Sequence, residues 1–327
     1  MLPYSFLRGR RKMKKILVVG IILLFIGSSI PTLAQTMDDT RPLSRTLYVG
    51  GSGPGNYSKI QSAIDNASNG DIIFVYPGCY NERITISKQL DIFGDNKNTT
   101  IIEGYGYFNL VYITANTVSF HGFTLTNAGA GIFLFCTDNC RIYNTVISKT
   151  QVGIDLESNH VSIFENIINN NSEGIRLWAP NAFISYNIIK NNSYGIRCDY
   201  SITGSNIFFN KIIGNGIGID MDQVAGANIE NNNISLNSLG IYSSSSDVNI
   251  NDNNIYLNER NAKFKDSKGA PDYSIWNNNY WGKIVLPKKI IFGTHGIFHV
   301  TYYSPLFQIY LPAYRVDSDP RLTPIRI

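Results

Sequence analysis

Ile163-Phe164-Glu165-Asn166-Ile167-Ile168-Asn169-Asn170-Asn171-Ser172-Glu173-Gly174-Ile175 is answered by Ile184-Ser185-Tyr186-Asn187-Ile188-Ile189-Lys190-Asn191-Asn192-Ser193-Tyr194-Gly195-Ile196. The two stretches share isoleucines, asparagines and a closing Gly-Ile at the same places. Working outward, the Gly-Ile step recurs at Gly131, Gly153, Gly174, Gly195, Gly218 and Gly240, and Asn261-Ala262 continues it in degenerate form. The period is 21 to 23 residues, the signature of stacked structural repeats. Eleven residues before the step lie Phe120, Ile142, Ile163, Ile184, Ile207, Ile229 and Ile250. Six before lie Leu125, Ile147, Ile168, Ile189, Ile212, Ile234 and Ile255. Asparagine fills the columns between: Asn166, Asn187, Asn210, Asn232 and Asn253 eight before, and Asn171, Asn192, Asn215, Asn237 and Asn258 three before.

Short two-periodic segments separated by Asn corners describe strands, not helices. Asn tolerates the left-handed turn, and its amide can bond a copy of itself one layer away. Between Pro77 and Pro271 only Pro180 interrupts the chain, as a ladder that needs every N–H requires. A leucine-rich repeat has a similar period but needs a Leu-dense consensus. The expected fold is all-β: a single-stranded right-handed parallel β-helix of about ten coils, with strands ~4.8 Å apart along its axis.

Open ends of such a stack need covering. Tyr57 to Ala67 reads as a short capping helix, with Ile60, Ala63, Ile64 and Ala67 on one face and Ser58 and Gln61 as a capping box. Residues 271–327 hold six of the twelve prolines and many aromatics, among them Trp276, Trp281, Phe292, Phe298 and Tyr314, which suggests an irregular aromatic cap.

Only 16% of the 327 residues are charged and 43% are hydrophobic, enough apolar surface for a large core. The net charge of +4 is concentrated at one end. Arg8, Arg10, Arg11, Lys12, Lys14 and Lys15 precede an apolar run from Ile16, and Thr32-Leu33-Ala34 offers a cleavage site. Residues 1–34 thus read as an export signal, with an uncleaved anchor as the competing reading, since the run is shorter than the ~20 residues of a membrane span. Without them, 22 basic side chains face 24 acidic ones, so no nucleic-acid partner is expected. The expected organisation is signal 1–34, linker 35–45, β-helix with its N-terminal cap 46–272 and C-terminal cap 273–327. Cys79, Cys136, Cys140 and Cys198 suit an exported chain; Cys136 and Cys140 either pair across a turn or are buried thiols. Glycosylation sequons occur at Asn56, Asn66, Asn98, Asn170, Asn191 and Asn233.

Residues 46–104 resemble the opening of pectin-lyase-like β-helices: Leu47-Tyr48-Val49-Gly50-Gly51, Ile60-Gln61-Ser62-Ala63-Ile64-Asp65, Gly70-Asp71-Ile72-Ile73-Phe74-Val75, Ile92-Phe93-Gly94-Asp95 and Thr100-Ile101-Ile102-Glu103-Gly104. The repeats resemble the NosD-like, or CASH, family of carbohydrate-binding proteins and sugar hydrolases. Asn278-Asn279-Tyr280-Trp281-Gly282 is similar to the ending of many exported archaeal members. The resemblance implies the fold over nearly the whole chain and leaves function open. The signatures of pectin methylesterases, polygalacturonases and alginate epimerases are missing. The NosD resemblance also evokes copper, which favours Met, Cys and His clusters. After the leader only Met37 and Met221 remain, and His121, His160, His295 and His299 form no column, so neither copper nor another metal site is expected.

The candidate site is the face that follows the Gly-Ile step. Alternation turns two columns outward: Phe133, Asp155, Arg176, Arg197, Asp220, Tyr242, and Phe135, Glu157, Trp178, Asp199, Asp222, Ser243. Their first reading is a structural ladder of opposite charges, each exposed pair contributing ~0–1 kcal/mol. A second is a sugar-binding face using Trp178, Arg176, Asp199 and Tyr242. A third is an active site drawn from Asp155, Arg176, Arg197, Asp199, Asp220 and Asp222: a hydrolase with carboxylates ~5–9 Å apart, or a lyase with Ca²⁺ held by Asp and Arg as base. The expectation is a secreted or cell-surface protein, structural or adhesive, that binds extracellular polysaccharide without a cofactor and has no membrane span once the signal is removed. The alternative is a polysaccharide lyase or hydrolase.

Overall fold

The computed structural model describes residues 44–266, 271–282, 289–300, 307–317 and 324. The expected signal segment lies outside them. No helix among the described residues is long and apolar enough to cross a membrane.

Leu47, Ile73, Ile92, Phe120, Ile142, Ile163, Ile184, Ile207, Ile229, Ile250 and Trp276 pair in parallel register, one above the next. That column crosses eleven rungs of one sheet. A second sheet stacks Ile102, Leu125, Ile147, Ile168, Ile189, Ile212, Ile234 and Ile255. A third stacks Ile132, Ile154, Ile175, Ile196, Ile219, Ile241 and Ala262. The three sheets wind as a parallel β-helix around one hydrophobic interior. The isoleucines of all three columns are buried, and each contributes about 1.5–3 kcal/mol by leaving water.

The corners explain why asparagine recurs. The backbone N–H of Thr145, Asn166, Asn187, Asn210, Asn232 and Asn253 each donates to the Oδ1 of the next residue of the column at 3.0 Å, ending on Asn279. Each Nδ2 donates to the carbonyl of an isoleucine of the preceding coil, as from Asn187 to Ile163 and from Asn210 to Ile184, both at 2.8 Å. A second ladder runs through Thr150, Asn171, Asn192, Asn215, Asn237 and Asn258. These side chains satisfy backbone groups that the turn removes from the sheet, where an orphaned polar group would cost ~1–3 kcal/mol. The residue before each rung of the first ladder is left-handed whatever its type: Asn144, Glu165, Tyr186, Phe209, Asn231, Asp252 and Asn278 have φ between 48° and 58°. The glycine of the Gly-Ile step meets a different need. A Cβ on Gly195 would stand 2.5 Å from the carbonyl oxygen of Gly218, backbone against backbone.

The lid at the first coils is the helix Ile60–Asn66, which buries Ile60, Ala63 and Ile64. Its expected capping box does not form. Lys59 is the N-cap and provides no side-chain bond. Glu82 of the underlying coil caps the helix instead, accepting from the backbone N–H groups of Ile60 at 2.8 Å and Gln61 at 3.1 Å. Lys88 Nζ closes the other end on the carbonyls of Ile64, Asp65 and Ala67 at 2.7–3.0 Å. An acid at the N-terminus and a lysine at the C-terminus both suit the helix dipole. The far end is also more regular than expected. Trp276 and Trp281 are buried side by side, and Lys289–Val300 pairs antiparallel with Phe307–Asp317. All four cysteines are free, so Cys136 and Cys140 do not pair: Cys136 is exposed and Cys140 buried.

Candidate functional site

The strands Val146–Asn159, Glu173–Leu177, Tyr194–Ser201, Ile217–Glu230 and Leu239–Ser244 bring the predicted face together. Asp155, Arg176, Arg197, Asp220 and Tyr242 occupy successive rungs of the third sheet, pointing away from the core. Asp199 and Asp222 are opposite one another in the parallel column. Ser243 departs from the expectation. It is the third residue after Gly240, the pleat turns it inward above Met221, and Ser244 takes the outward place beside Asp222. Buried, Ser243 donates to Asp272 at 2.5 Å.

The charges do not simply alternate. Glu173 sits at their centre. Arg176 donates to it through Nε at 2.7 Å and Nη2 at 3.1 Å, and Arg197 through Nη1 at 3.4 Å. Arg176 also reaches Asp155 at 3.3 Å. The Nε of Arg197 lies 3.3 Å from Asp199 as an ion pair whose alignment makes no hydrogen bond, and this Nε and Asp155 Oδ1 are buried without a hydrogen-bond partner. Glu173 is almost wholly buried. It occupies a column that holds Ala130, Val152, Tyr194, Ile217 and Leu239 and ends on Arg260. A lone acid in that column is the signal that could have found it.

Burial raises Asp155 to about 6, with Arg176 opposing and the charges of Glu157 and Glu173 adding to the rise. Burial likewise raises Asp220 to about 6, against Arg197 and with Asp199, Asp222 and Glu173. Burial also pushes Asp199 up, Arg197 lowering it and Asp222 raising it again. The two acids near 6 are three rungs apart, about 14 Å at the spacing of parallel strands. That exceeds the ~5–9.5 Å over which two carboxyls flank one glycosidic bond. The closely spaced acids are instead Asp199, Asp220 and Asp222, with Asp199 one rung from Asp220 and opposite Asp222.

Trp178 follows the strand Glu173–Leu177 and is 45% exposed. Tyr200, absent from the sequence-based candidates, is 62% exposed and meets Trp178 edge to face at 6.1 Å. Tyr242 lies under Lys263 at 5.5 Å. Two shallow depressions, of about 490 and 470 Å³, lie off this face.

Fold and face together define a parallel β-solenoid whose third sheet carries an acid-rich band, in which two arginines are held by Asp155, Glu173 and Asp199, bordered by aromatic rings. The family model described as "Periplasmic copper-binding protein (NosD)" matches residues 64–229 and 109–285, and the chain belongs to that family. A cell surface glycoprotein of Methanothermus fervidus is 34% identical over 98 residues, 29% of this chain and 16% of that protein, so the alignment spans only about a sixth of that relative. An alginate lyase from Paenibacillus sp. str. FPU-7 superposes with a TM-score of 0.53 at 16% identity, covering 73% of this chain and 94% of its own. The A-module of the mannuronan C-5 epimerase AlgE4 of Azotobacter vinelandii gives 0.55 at 15% identity, covering 72% and 88%. At these identities the likeness is one of fold.

The family description raises copper, and the donors present do not fit it. Met221 and Cys198 are sealed in the core, and burial drives the Cys198 thiol far upward. His121 is stacked between Phe93 and Tyr143, and His160 is paired with Asp138 at 2.7 Å. His295 and His299 fall in the strand Lys289–Val300. Among the described residues no three His, Cys, Asp or Glu side chains converge as metal ligands.

Proposed function

We propose that this chain is a secreted or cell-surface β-helix protein that binds extracellular polysaccharide on its third sheet and does not turn it over. The observation that carries the reading is that both arginines of the face are held by its acids. Glu173 holds Arg176 and Arg197, while Trp178 and Tyr200 stay open to solvent beside them. Arginines engaged in this way supply a rigid frame rather than free positive charge. Exposed rings next to such a frame can stack on sugar, with Arg176, Asp199 and Tyr242 available to its hydroxyls. The expected export signal, the periplasmic description of the family and the cell-surface glycoprotein of Methanothermus fervidus support the location. A glycan array on the purified chain tests the reading. Trp178→Ala should lower the affinity of the bound glycan about tenfold. No saturable glycan binding, or binding indifferent to Trp178→Ala, would remove it.

One observation favours a second reading, a polysaccharide lyase or hydrolase. Asp220 titrates at about 6 within one rung of Asp199, and perturbed carboxyls mark catalytic acids as well as structural clusters. Release of reducing ends or unsaturated products from acidic polysaccharides, with and without Ca²⁺, abolished by Asp220→Asn, would establish that reading in place of the first.

A further inference from the structure

The coil that runs through Thr100–Glu103 and Val111–Ile113 breaks the repeat. In an ordinary coil three residues, 170–172, join Ile167–Asn169 to Glu173–Leu177. Here seven residues, 104–110, make the same connection. The insertion carries Tyr105, Tyr107 and Phe108, all strongly exposed, the first two at 77% and 84%.

The loop is fixed in place despite its length. Gly104 N–H donates to Thr126 at 3.0 Å, Gly106 to Asn127 at 3.3 Å, and Leu110 to Ala130 at 2.9 Å, while Gly129 of the next coil donates back to Phe108 at 2.9 Å. Two glycines allow this contact. A Cβ on Gly104 would stand 2.6 Å from the Asn127 carbonyl oxygen, and one on Gly129 would collide with that of Tyr107. Leu110 anchors the far end in the core, and Arg83 covers the Phe108 ring at 4.4 Å. Tyr105 and Tyr107 are therefore large rings on a pinned backbone. That is the property of a preorganised contact surface, because little freedom is left to lose on binding.

These two tyrosines border a depression of about 470 Å³ whose opposite wall includes Asn127, Lys149 and Gln151. Lys149 and Gln151 are exposed, and no carboxylate of the described residues forms an ion pair with Lys149. The nearby acid Glu103 is engaged by Asn127 Nδ2 at 2.6 Å and by the Cys79 thiol at 3.7 Å. Rings for the C–H faces of pyranoses, amides for hydroxyls and one free cation for a carboxylate stand together. We infer that the groove between the Tyr105–Tyr107 loop and Lys149 is a second carbohydrate site, and that its ligand is a chain of uronic-acid sugars. It lies off the third-sheet face, whose excess of acids over arginines disfavours an anionic chain.

Calorimetric titration of the intact chain with short oligogalacturonates tests it, with neutral cello-oligosaccharides as control. Saturable binding of the uronates is expected. Tyr105→Ala and Tyr107→Ala should each weaken it about tenfold. Lys149→Gln should weaken it to a similar degree and remove the preference over the neutral chain. Unchanged melting temperatures of these surface variants would show that the coil is intact. Trp178→Ala should leave the affinity unaltered. Absence of uronate binding, equal binding of the neutral chain by the unmodified protein, or binding indifferent to both tyrosine substitutions would overturn the proposal. Loss of uronate binding in Trp178→Ala alone would overturn it too, assigning that ligand to the third sheet and leaving the proposed function standing.

Discussion

Asn210 shows how much one side chain carries in this molecule. Its Oδ1 accepts from both the backbone N–H and the Nδ2 of Asn187, and its Nδ2 donates to Ile184, Phe208 and Asn232. All of this is buried, so truncation strands donors and acceptors on both neighbouring coils at once. Asn210→Ala should cost about 3 kcal/mol, read as a lowered urea midpoint with an unchanged slope. The substitution should cost more than the loss of any exposed pair in the charged band. Asn210 is legible in the sequence because its column repeats. Glu173 shows in the sequence only as a break in its column, and the arginines it holds are found through space. Ser243 illustrates a finer limit: one residue's difference along a strand reverses the face on which a side chain emerges.

At the scale of the element, strand length and corner type follow from the isoleucine and asparagine columns, so the sheets can be read before any coordinates. The capping of Ile60–Asn66 cannot be. Glu82 and Lys88, which hold its two ends, belong to the coil beneath, and nothing local to the helix marks them. The inserted loop is likewise a departure from the repeat, visible in sequence as extra length but not as a pinned surface. The Gly-Ile step yields the sharpest test of stacking. In Gly195→Ala the new methyl meets the Gly218 carbonyl, which belongs to the ladder and has nowhere to move. A penalty of about 3 kcal/mol is expected, together with faster amide exchange in Tyr194–Ser201 and the two strands paired to it. If exchange there stays at the wild-type rate, the close approach of the coils is wrong.

For the whole molecule, the buried acids set a pH dependence. Burial raises Asp155 and Asp220 from 3.8 to about 6, and Asp199 and Asp272 are pushed in the same direction. A carboxyl with a raised folded-state pKa binds more protons folded than unfolded, so its contribution to stability declines as pH climbs from about 4 through 6. Asp71 acts oppositely. Burial works to raise it, but the N–H groups of Ser68 and Arg45 and the Arg45 charge prevail and lower it, so its share is lost on acidification below 3.8. Stability should therefore peak in mildly acidic solution, with a melting temperature about 5 °C higher near pH 4.5 than at pH 7. Asp155→Asn with Asp220→Asn should flatten that decline. A melting temperature that rises steadily to pH 7 in the unsubstituted protein would contradict the burial of these groups.

The rungs also bear on how the protein would respond to mechanical load. Among the described residues each coil is bonded chiefly to the coil before and the coil after, Lys97 skipping one coil to reach Asn144 at 2.8 Å, and the strands run across the direction in which the stack grows. Pulling on the two ends would open the ladder bonds in sequence, like a zip, rather than shear many of them together. A protein held on a surface by one end and on a polymer by the other would then lengthen coil by coil under tension and dissipate force gradually. Both asparagine ladders would be ready to guide each coil back onto its neighbour when the tension falls.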